Sequence, residues 1–374
     1  MPTDTSSKVP ARLAALRRRL GEHAPALGGV LVTEAENRRY LSGFAGSAGQ
    51  LLVSQAAGLL LTDFRYVEQA ATQAPGCEVV KTEGHAWPFV AEQIARLGLK
   101  QIGFEAEHVT VDQHLRLQEA LREKAPGAEL VPLRGFAEDV RQVKDPSEVE
   151  AIRRAVLISD RALEHVVAGL MPGVTEREVA WRLEVAMRER GADALSFPTI
   201  VASGPNGAMP HHRASERPIQ AGEPIVIDMG CRLNGYCSDM TRTVVLGDPD
   251  PMFWEIHAIV LRAQQACEDG LKAGMLGKEG DMLARKVIED AGHGDHFGHG
   301  TGHGIGLAVH EDPYLSRSRG EMMLRAGAVT SVEPGIYLPG WGGIRIEDLV
   351  VIGETRCQVL TTAHKAPVVE IGAR

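Results

Sequence analysis

The sequence of 374 residues lacks several features that would place it in particular classes of protein. No apolar run approaches the ~18–20 residues of a membrane span, and the N-terminus, MPTDTSSKVPARLAALRRRL, has no apolar core of a secretion signal. Acidic residues outnumber basic ones by 49 to 40, and a net charge of −9 argues against nucleic acid as the main partner. With 44% hydrophobic and 24% charged residues, the composition is that of a soluble globular protein, and we expect no membrane association.

The five cysteines are odd in number and form no CxxC motif. This usage predicts reduced thiols in a cytoplasmic protein rather than a disulfide framework. Cys231 and Cys237 flank a predicted turn close to several acidic residues. Burial in the core is the favoured interpretation for both, and metal binding is the alternative.

Secondary-structure patterns divide the chain into two parts, as its length also favours. Short strands alternate with helices up to about residue 135, which predicts an α/β domain. A helix starts at Asp145-Pro146, because a polar residue ahead of proline is a common N-terminal signal. We place the boundary between residues 138 and 139. The second domain is predicted to be α+β, with strands at 197–203, 224–230, 237–246, 304–310, 328–338 and 343–352.

Five residues of the second domain stand in strand-like or glycine-rich contexts, which is not where a protein scatters its surface charge. They are four carboxylates and one imidazole: Asp228, Asp239, His303, Glu333 and Glu347. Hard oxygen ligands with one nitrogen suit divalent ions such as Mn²⁺, Co²⁺ or Zn²⁺. Two such ions can activate water and polarise a carbonyl, which is hydrolase chemistry.

A predicted hairpin brings two of the acids together. Asn234-Gly235 is a strong signal for a two-residue turn, and such a turn places Asp228 opposite Thr241, with Asp239 as a diagonal neighbour on the same face. Two facing carboxylates in a buried strand pair repel each other without a cation between them. The alternative is that Asp239 belongs to the turn and that Asp228 alone is buried.

The other three residues lie in later segments. His303 follows the glycine-rich run His299–Gly302 and precedes a strand-like run, Leu307–His310. Glu333 and Glu347 each sit among apolar neighbours, where an acid needs a partner or a metal. Arg345 could neutralise one acid in a structural ion pair, which would leave the others unexplained.

The motifs that carry these residues, IDMG, SDMTRT, GTGHGIGLAVHE, VEPGIY and GIRIED, resemble those of the pita-bread metallopeptidases. Among these the chain is most similar to the Xaa-Pro branch, aminopeptidase P and prolidase, over about residues 145–365. YLSGFAGS and LTDFRY in the first domain resemble the same branch. The resemblance implies a creatinase/prolidase-like α/β N-terminal domain at 1–138 and an α+β pita-bread (creatinase/aminopeptidase-like) catalytic domain at 139–374.

The resemblance also implies two divalent metal ions per chain, Mn²⁺, Zn²⁺ or Co²⁺. Asp239 and Glu347 would bridge the ions, Asp228 would complete the shell of one, and His303 and Glu333 that of the other. A hydroxide held between the metals would attack the scissile carbonyl, with Glu333 as general base and acid.

Further residues match positions that the family keeps near its substrate. His211 matches a substrate-contacting histidine, and His310 matches a second one, which would stabilise the tetrahedral intermediate. His299 matches a histidine beside the proline pocket, and Arg345 an arginine near the metals. For the neighbouring His212 we favour an exposed side chain without a role.

Tyr314 departs from the family pattern. Prolidases place an arginine there to bind the carboxylate of a dipeptide, and tyrosine cannot form that ion pair. The Tyr314 hydroxyl could still bind the substrate by donating a hydrogen bond to a carboxylate, and another residue could supply the charge. We therefore expect an Xaa-Pro aminopeptidase acting on short peptides with proline in second position. The resemblance to the family also implies a homodimer. The alternatives are an Xaa-Pro dipeptidase, a metal-free hydrolase of the creatinase type and a non-catalytic peptide-binding module.

Overall fold

The computed structural model describes residues 8–23 and 27–370 and divides the chain into two compact units between Arg141 and Gln142. The division predicted from sequence falls slightly earlier, between residues 138 and 139. None of the helices in these described ranges is long and apolar enough to cross a membrane.

The first unit is an α/β domain built on one mixed sheet. Its elements are α1 Val9–His23, β1 Gly29–Val32, α2 Ala35–Ser42, β2 Gln50–Ser54, β3 Gly58–Asp63, α3 Val67–Gln73, β4 Glu78–Thr82, α4 Ala86–Arg96, β5 Gln101–Glu105, α5 Val111–Lys124, β6 Glu129–Leu133 and α6 Glu138–Arg141. The strand order is β4-β3-β2-β1-β5-β6, with β1–β2 and β2–β3 antiparallel and the other pairs parallel. Apolar residues of α4 and α5 form a core with Leu31, Leu52 and Leu61 of the sheet.

Four long helices back the second unit. They are α7 Pro146–Val167, α8 Glu176–Glu189, α9 Pro251–Gly270 and α10 Gly277–Asp290. The start predicted at Asp145-Pro146 is confirmed: the Asp145 carboxylate accepts bonds from the backbone N–H groups of Ser147 and Glu148. Asp250 caps α9 in the same way.

The strands of the second unit are short and form four sheets. They are β7 Ala194–Leu195, β8 Ile200–Ser203, β9 Ile225–Met229, β10 Cys231–Leu233, β11 Tyr236–Cys237, β12 Met240–Leu246, β13 Gly302–Gly304, β14 Glu311–Leu315, β15 Val329–Val332, β16 Gly335–Leu338, β17 Gly342–Arg345, β18 Asp348–Val351, β19 Gln358–Val359 and β20 Val368–Val369. The sheet orders are β11-β10-β7, β20-β12-β9-β8, β14-β13-β15-β18-β19 and β16-β17.

Each helix pair has its own hydrophobic core. Helices α7 and α8 pack with β8, β9 and β12, whereas α9 and α10 pack with β15 to β18. This is the α+β pita-bread domain that the resemblance implied. The two cysteines of the predicted turn region, Cys231 and Cys237, are buried, and their thiols donate to backbone carbonyls.

The predicted hairpin is present with its predicted register. Asn234 and Gly235 have φ values of 50° and 85°, so both adopt the left-handed conformation of a two-residue turn. Leu233 pairs with Tyr236, and Asp228 pairs with Thr241. Asp239 is buried, and it does not belong to the turn.

Three of the predicted strands are each broken at an acidic residue. Residues 237–246 are interrupted at Ser238-Asp239, 328–338 at Glu333-Pro334, and 343–352 at Ile346-Glu347. At Glu333 the chain leaves the five-stranded sheet for the two-stranded one, and at Glu347 it returns. Because of these breaks, the side chains of these acids do not have to follow the alternating orientation of a regular strand.

The strand predicted at 304–310 is wrong. Pairing of β13 with β14 shifts register between His303 and Gly304, and residues 306–310 form bends. The turn is closed by Glu311, which accepts from the Ala308 N–H at 3.3 Å and from Lys144 Nζ at 2.6 Å. The bonds of this buried carboxylate to the turn and to Lys144 favour the bend more strongly than three apolar residues favour a strand.

Candidate metal centre

Asp239, His303 and Glu347 converge on one point of the second unit. Each offers a ligand atom, and these atoms all lie within 4.8 Å of one another. They come from three separate stretches of chain: the break before β12, strand β13 and the break before β18. The Asp239 and Glu347 side chains are buried, and the His303 side chain is 11% exposed.

The orientation of His303 leaves one ring nitrogen free to bind a metal. Its Nδ1 lies 3.1 Å from the carbonyl oxygen of Gly304. Because a carbonyl oxygen can only accept a hydrogen bond, Nδ1 is the nitrogen that carries the proton. Burial lowers the pKa of His303, which favours the neutral ring. Nε2 therefore presents a lone pair 3.6 Å from Asp239 Oδ2 and 3.3 Å from Glu333 Oε1.

Glu333 joins the cluster from the end of β15. The Ser331 hydroxyl donates to its Oε1 at 3.1 Å, and its backbone N–H bonds the Thr301 carbonyl at 2.7 Å. Glu347 is fixed in turn by the Thr241 hydroxyl, which donates to Oε2 at 2.7 Å. Hydrogen bonds of this kind, one step away from the metal, orient the ligands.

Asp228 faces Arg345. Arg345 Nη2 donates to Asp228 Oδ2 at 2.6 Å, and the guanidinium is buried. Arg345 also bonds the Tyr337 hydroxyl at 2.9 Å, and that hydroxyl bonds His299 Nε2 at 2.8 Å. The ion pair considered as an alternative from sequence thus exists, but it engages one acid of the four.

The acidic residues of this centre bring together more negative charge than the surrounding protein neutralises. Burial and then the charges of Glu347 and Asp228 raise the pKa of Asp239 well above its usual range. Burial and then the charges of Glu333 and Asp228 do the same to Glu347. Burial also raises the pKa of Glu333.

The residues present fit divalent cations. Asp228 Oδ1 and Glu347 Oε1 are buried and have no hydrogen-bond partner among residues 8–23 and 27–370. Such oxygens carry an energetic cost that a cation removes. The donor set of carboxylate oxygens and one imidazole suits Mn²⁺, Zn²⁺ or Co²⁺.

All ten site residues predicted from sequence line one cavity of about 1150 Å³. Around the metal-binding candidates it contains His211, His299, His310, Tyr314 and Arg345. The His310 ring lies edge-on to that of His303, with centroids 4.3 Å apart. Burial, followed by the electrostatic influence of the neighbouring His303 ring, lowers the pKa of His310 to about 4, so its ring is neutral at pH 7.

The prediction for His212 is wrong. His212 is half-buried and its Nε2 bonds Glu176 at 2.9 Å, while His211 beside it is exposed to the cavity. Both residues line the cavity, but the ring of His212 is bound by Glu176, whereas His211 is the more exposed of the two.

Sequence reasoning missed two residues that organise the centre. Tyr337 connects Arg345 to His299, and Thr241 bonds both Glu347 and Arg345. Thr241 could have been found, since it is the residue predicted to face Asp228. Tyr337 lies in the quoted VEPGIY motif, but nothing in its spacing indicates a hydrogen bond to an arginine on the next strand.

Comparisons with known proteins agree with this geometry. The model of metallopeptidase family M24 matches residues 150–354, and that of the creatinase/prolidase N-terminal domain matches residues 12–143. Three relatives illustrate the similarity. An Xaa-Pro dipeptidase structure from Bacillus anthracis is 41% identical, with a TM-score of 0.92 over 96% of this chain and 99% of that one.

The Xaa-Pro dipeptidase of Pyrococcus furiosus is 41% identical over 247 residues, 66% of this chain and 71% of the relative. The structure of an X-Pro aminopeptidase from Thermotoga maritima is 37% identical, with a TM-score of 0.86 over 96% of this chain and 100% of that one. The matching family model covers more than half of the chain and every predicted metal ligand. The protein therefore belongs to metallopeptidase family M24 and is a divalent-metal-dependent hydrolase.

Proposed function

We propose that this enzyme hydrolyses the Xaa-Pro bond of dipeptides with two divalent ions bound by Asp228, Asp239, His303, Glu333 and Glu347. The convergence of Asp239, His303 and Glu347 within 4.8 Å is the observation that carries the proposal. Two ions would need shared carboxylates, and we assign this role to Asp239 and Glu347, the buried acids whose pKa values rise well above their usual range.

When bound, the ions polarise the scissile carbonyl and make water a nucleophile at neutral pH. The chain's own groups then position the substrate and move protons. The proline nitrogen must take up a proton as the bond breaks, and we assign this transfer to Glu333. His310 and His211 line the same cavity, and a neutral ring at His310 can donate its N–H to the carbonyl oxygen that gains charge.

The apolar part of the cavity suits a proline ring. Phe197, Pro198 and Phe297 lie on its wall, and the Phe297 ring packs edge-on against His299 at 5.0 Å. An Xaa-Pro bond is a tertiary amide without an N–H, so recognition depends on ring shape rather than on a backbone hydrogen bond. A flat, partly aromatic wall supports this selectivity.

The aminopeptidase expected from Tyr314 is less well supported than its dipeptidase alternative. Two of the three relatives described above carry the name Xaa-Pro dipeptidase. The lost charge also has a replacement on this chain, because the Arg319 guanidinium lies 3.5 Å from the centroid of the Tyr314 ring. Both residues line the cavity, and Arg319 forms no ion pair within the described part of the chain.

Arg319 can thus bind the carboxylate of a dipeptide, with Tyr314 as its support. Arg317, which also lines the cavity, is already paired with Glu289 and provides a matched control. Arg319→Ala should raise the KM for an Xaa-Pro dipeptide roughly tenfold or more and leave the KM for an Xaa-Pro-Yaa amide nearly unchanged, whereas Arg317→Ala should change neither.

The test of the function itself is turnover of an Xaa-Pro dipeptide against an Xaa-Pro-Yaa tripeptide, with Mn²⁺, Zn²⁺ or Co²⁺ restored to chelator-treated enzyme. We expect no activity after chelation and a higher kcat/KM for the dipeptide after metal return. Preference for the tripeptide would make the enzyme an aminopeptidase. Full activity after exhaustive chelation would remove the metal mechanism.

A further inference from the structure

Glu176, the first residue of α8, is a buried carboxylate to which the proposed mechanism gives no role. Its side chain is fully inaccessible to solvent. It lies outside the metal centre, and its partners are hydrogen-bond donors of one segment, residues 203–215.

One oxygen of Glu176 binds the beginning of that segment. Oε1 accepts from the Ser203 N–H and hydroxyl, both at 2.8 Å, and from Asn206 Nδ2 at 3.0 Å. Ser203 is the last residue of β8, and Asn206 lies in the short 3₁₀ turn Gly204–Ala208.

The other oxygen binds the end of the segment. Oε2 accepts from His212 Nε2 at 2.9 Å and from the Ser215 N–H and hydroxyl at 3.1 and 2.6 Å. An ionised carboxylate can only accept, so His212 carries its proton on Nε2. Two backbone bonds, Glu176 N–H to Arg217 O and Arg177 N–H to Ser215 O, continue the attachment.

The segment fixed in this way carries His211 between the two sets of bonds. Its opposite side lies against β17: Arg345 Nη1 donates to the Pro210 carbonyl at 3.4 Å, and a Cβ on Gly207 would come within 2.9 Å of the Gly343 nitrogen. His211 itself is exposed to the cavity. The segment is therefore clamped between the start of α8 and the strand that bears Arg345.

We propose that Glu176 is a positioning residue that holds His211 at the substrate, acting through Ser203, Asn206, His212 and Ser215. The inference rests on the proposed function, in which His211 contacts the substrate. An irregular loop without such an anchor loses backbone order, and a displacement of about 1 Å at a reacting group can cost on the order of a hundredfold in rate. A single carboxylate with both oxygens saturated removes that freedom at both ends of the loop.

A double-mutant cycle with Glu176→Gln and His211→Ala separates positioning from general support of the fold. The glutamine keeps the size of the side chain and loses an acceptor. In the holoenzyme with two-metal content verified, we expect Glu176→Gln to lower kcat/KM for an Xaa-Pro dipeptide by about 10- to 100-fold. In the His211→Ala background the same change should lower it less than about twofold. An equal loss in both backgrounds would overturn the proposal.

Asp160 supplies the matched control. It is another buried carboxylate, and the donors bound to it are the Thr362 N–H and hydroxyl, both at 2.7 Å, rather than groups of segment 203–215. Asp160→Asn should leave kcat/KM unchanged in both backgrounds. If Glu176→Gln does not fold, Ser215→Ala replaces it in the cycle, because that variant keeps the carboxylate and removes one donor.

Hydrogen exchange tests the anchor without substrate, so it still reports if the enzyme proves inactive on Xaa-Pro dipeptides. Backbone amides of residues 204–216 should exchange at least tenfold faster in Glu176→Gln than in the wild type, while those of α10 stay unchanged. Unchanged exchange in 204–216 would contradict the anchor, whereas failure of dipeptide turnover in the wild type would contradict only the proposed function.

Discussion

Two groups of buried carboxylates in the catalytic unit have opposite electrostatic states. Glu176 is saturated by hydrogen bonds: burial alone would raise its pKa, but the donors Ser215, Ser203, Asn206 and His212 lower it to about 2. In the metal centre, burial and neighbouring acids raise the pKa of Asp239 and of Glu347. The protein supplies the hydrogen bonds that stabilise the ionised Glu176, whereas the carboxylates of the metal centre keep negative charge that a bound cation can neutralise.

The contrast shows how a buried acid can be assigned to structure or to binding. Glu176, Asp239 and Glu347 are all buried, so burial does not separate the two kinds. The hydrogen-bond inventory does: Glu176 has donors on both oxygens, whereas Glu347 Oε1 and Asp228 Oδ1 have none within the described residues. Asp160 Oδ1 is also buried without a partner in the described part of the chain but does not line the cavity, so it is the position of the unsatisfied oxygens of Glu347 and Asp228 in one cavity that marks a binding site.

The largest expected effect is on activity and follows from Asp239→Asn. Removing a proposed metal ligand should lower kcat/KM by more than the roughly 10–100-fold that follows loss of a group behind a metal ligand. Because the substitution also removes a repulsive charge, metal-stripped Asp239→Asn should melt no lower than metal-stripped wild type. Kinetics on the metal-reconstituted proteins and calorimetry on the metal-stripped ones measure the two effects, and a large fall in Tm would mean that Asp239 is structural.

The opposite pattern is expected for Glu176→Gln. It leaves buried donors without an acceptor, so the free energy of unfolding should fall by about 2–4 kcal/mol, while the bound metal per chain stays as in the wild type. Urea unfolding and elemental analysis give the two values. Metal loss without destabilisation would assign Glu176 to the metal centre instead.

The pH dependence of stability in acid should also reflect the hydrogen-bonded, ionised state of Glu176. Since the pKa of Glu176 is about 2 in the folded protein and ordinarily 4.5, its stabilisation is complete above about pH 4.5 and is lost as the pH falls toward 2. The contribution of ionised Glu176 to the free energy of unfolding amounts to at most about 3 kcal/mol. The gap in unfolding free energy between wild type and Glu176→Gln should therefore narrow from pH 5 to pH 3, and a gap independent of pH would refute the assigned ionisation.

The smallest effect is expected for His212→Gln, which removes one donor of the Glu176 group. The free energy of unfolding should fall by about 1 kcal/mol, and kcat/KM should fall less than in Glu176→Gln. His211→Gln is the paired control, because it changes the neighbouring ring that faces the cavity. Equal stability losses in the two variants would indicate that their different environments have no energetic consequence.

Much of the site could be predicted from sequence because its positions are set by local rules. The Asn234-Gly235 turn fixes the register of Asp228 against Thr241, and buried acids in apolar strands are rare enough to be informative. The anchoring role of Glu176 could not be predicted this way, since its partners lie up to 39 residues away and its place at the start of a helix looks like ordinary capping chemistry. His212 was misjudged for the same reason: its partner is distant in sequence.

The points at which strands are interrupted are the other feature that could not be predicted from sequence. Apolar runs at 328–338 and 343–352 predict two long strands, whereas the chain changes sheet at Glu333 and at Glu347. The breaks arise from tertiary bonds, such as Glu347 N–H to the Thr241 carbonyl at 3.0 Å. Single-sequence periodicity contains no information about such partners.

The most direct measurement is the metal content of chelator-stripped enzyme after reconstitution and removal of excess metal, determined by elemental analysis. Two divalent ions per wild-type chain, with substantial loss in Asp239→Asn and none in Glu176→Gln, is the predicted result. Wild-type protein that retains no ions, or Asp239→Asn that retains as many as the wild type, would contradict a dinuclear centre built by these acids.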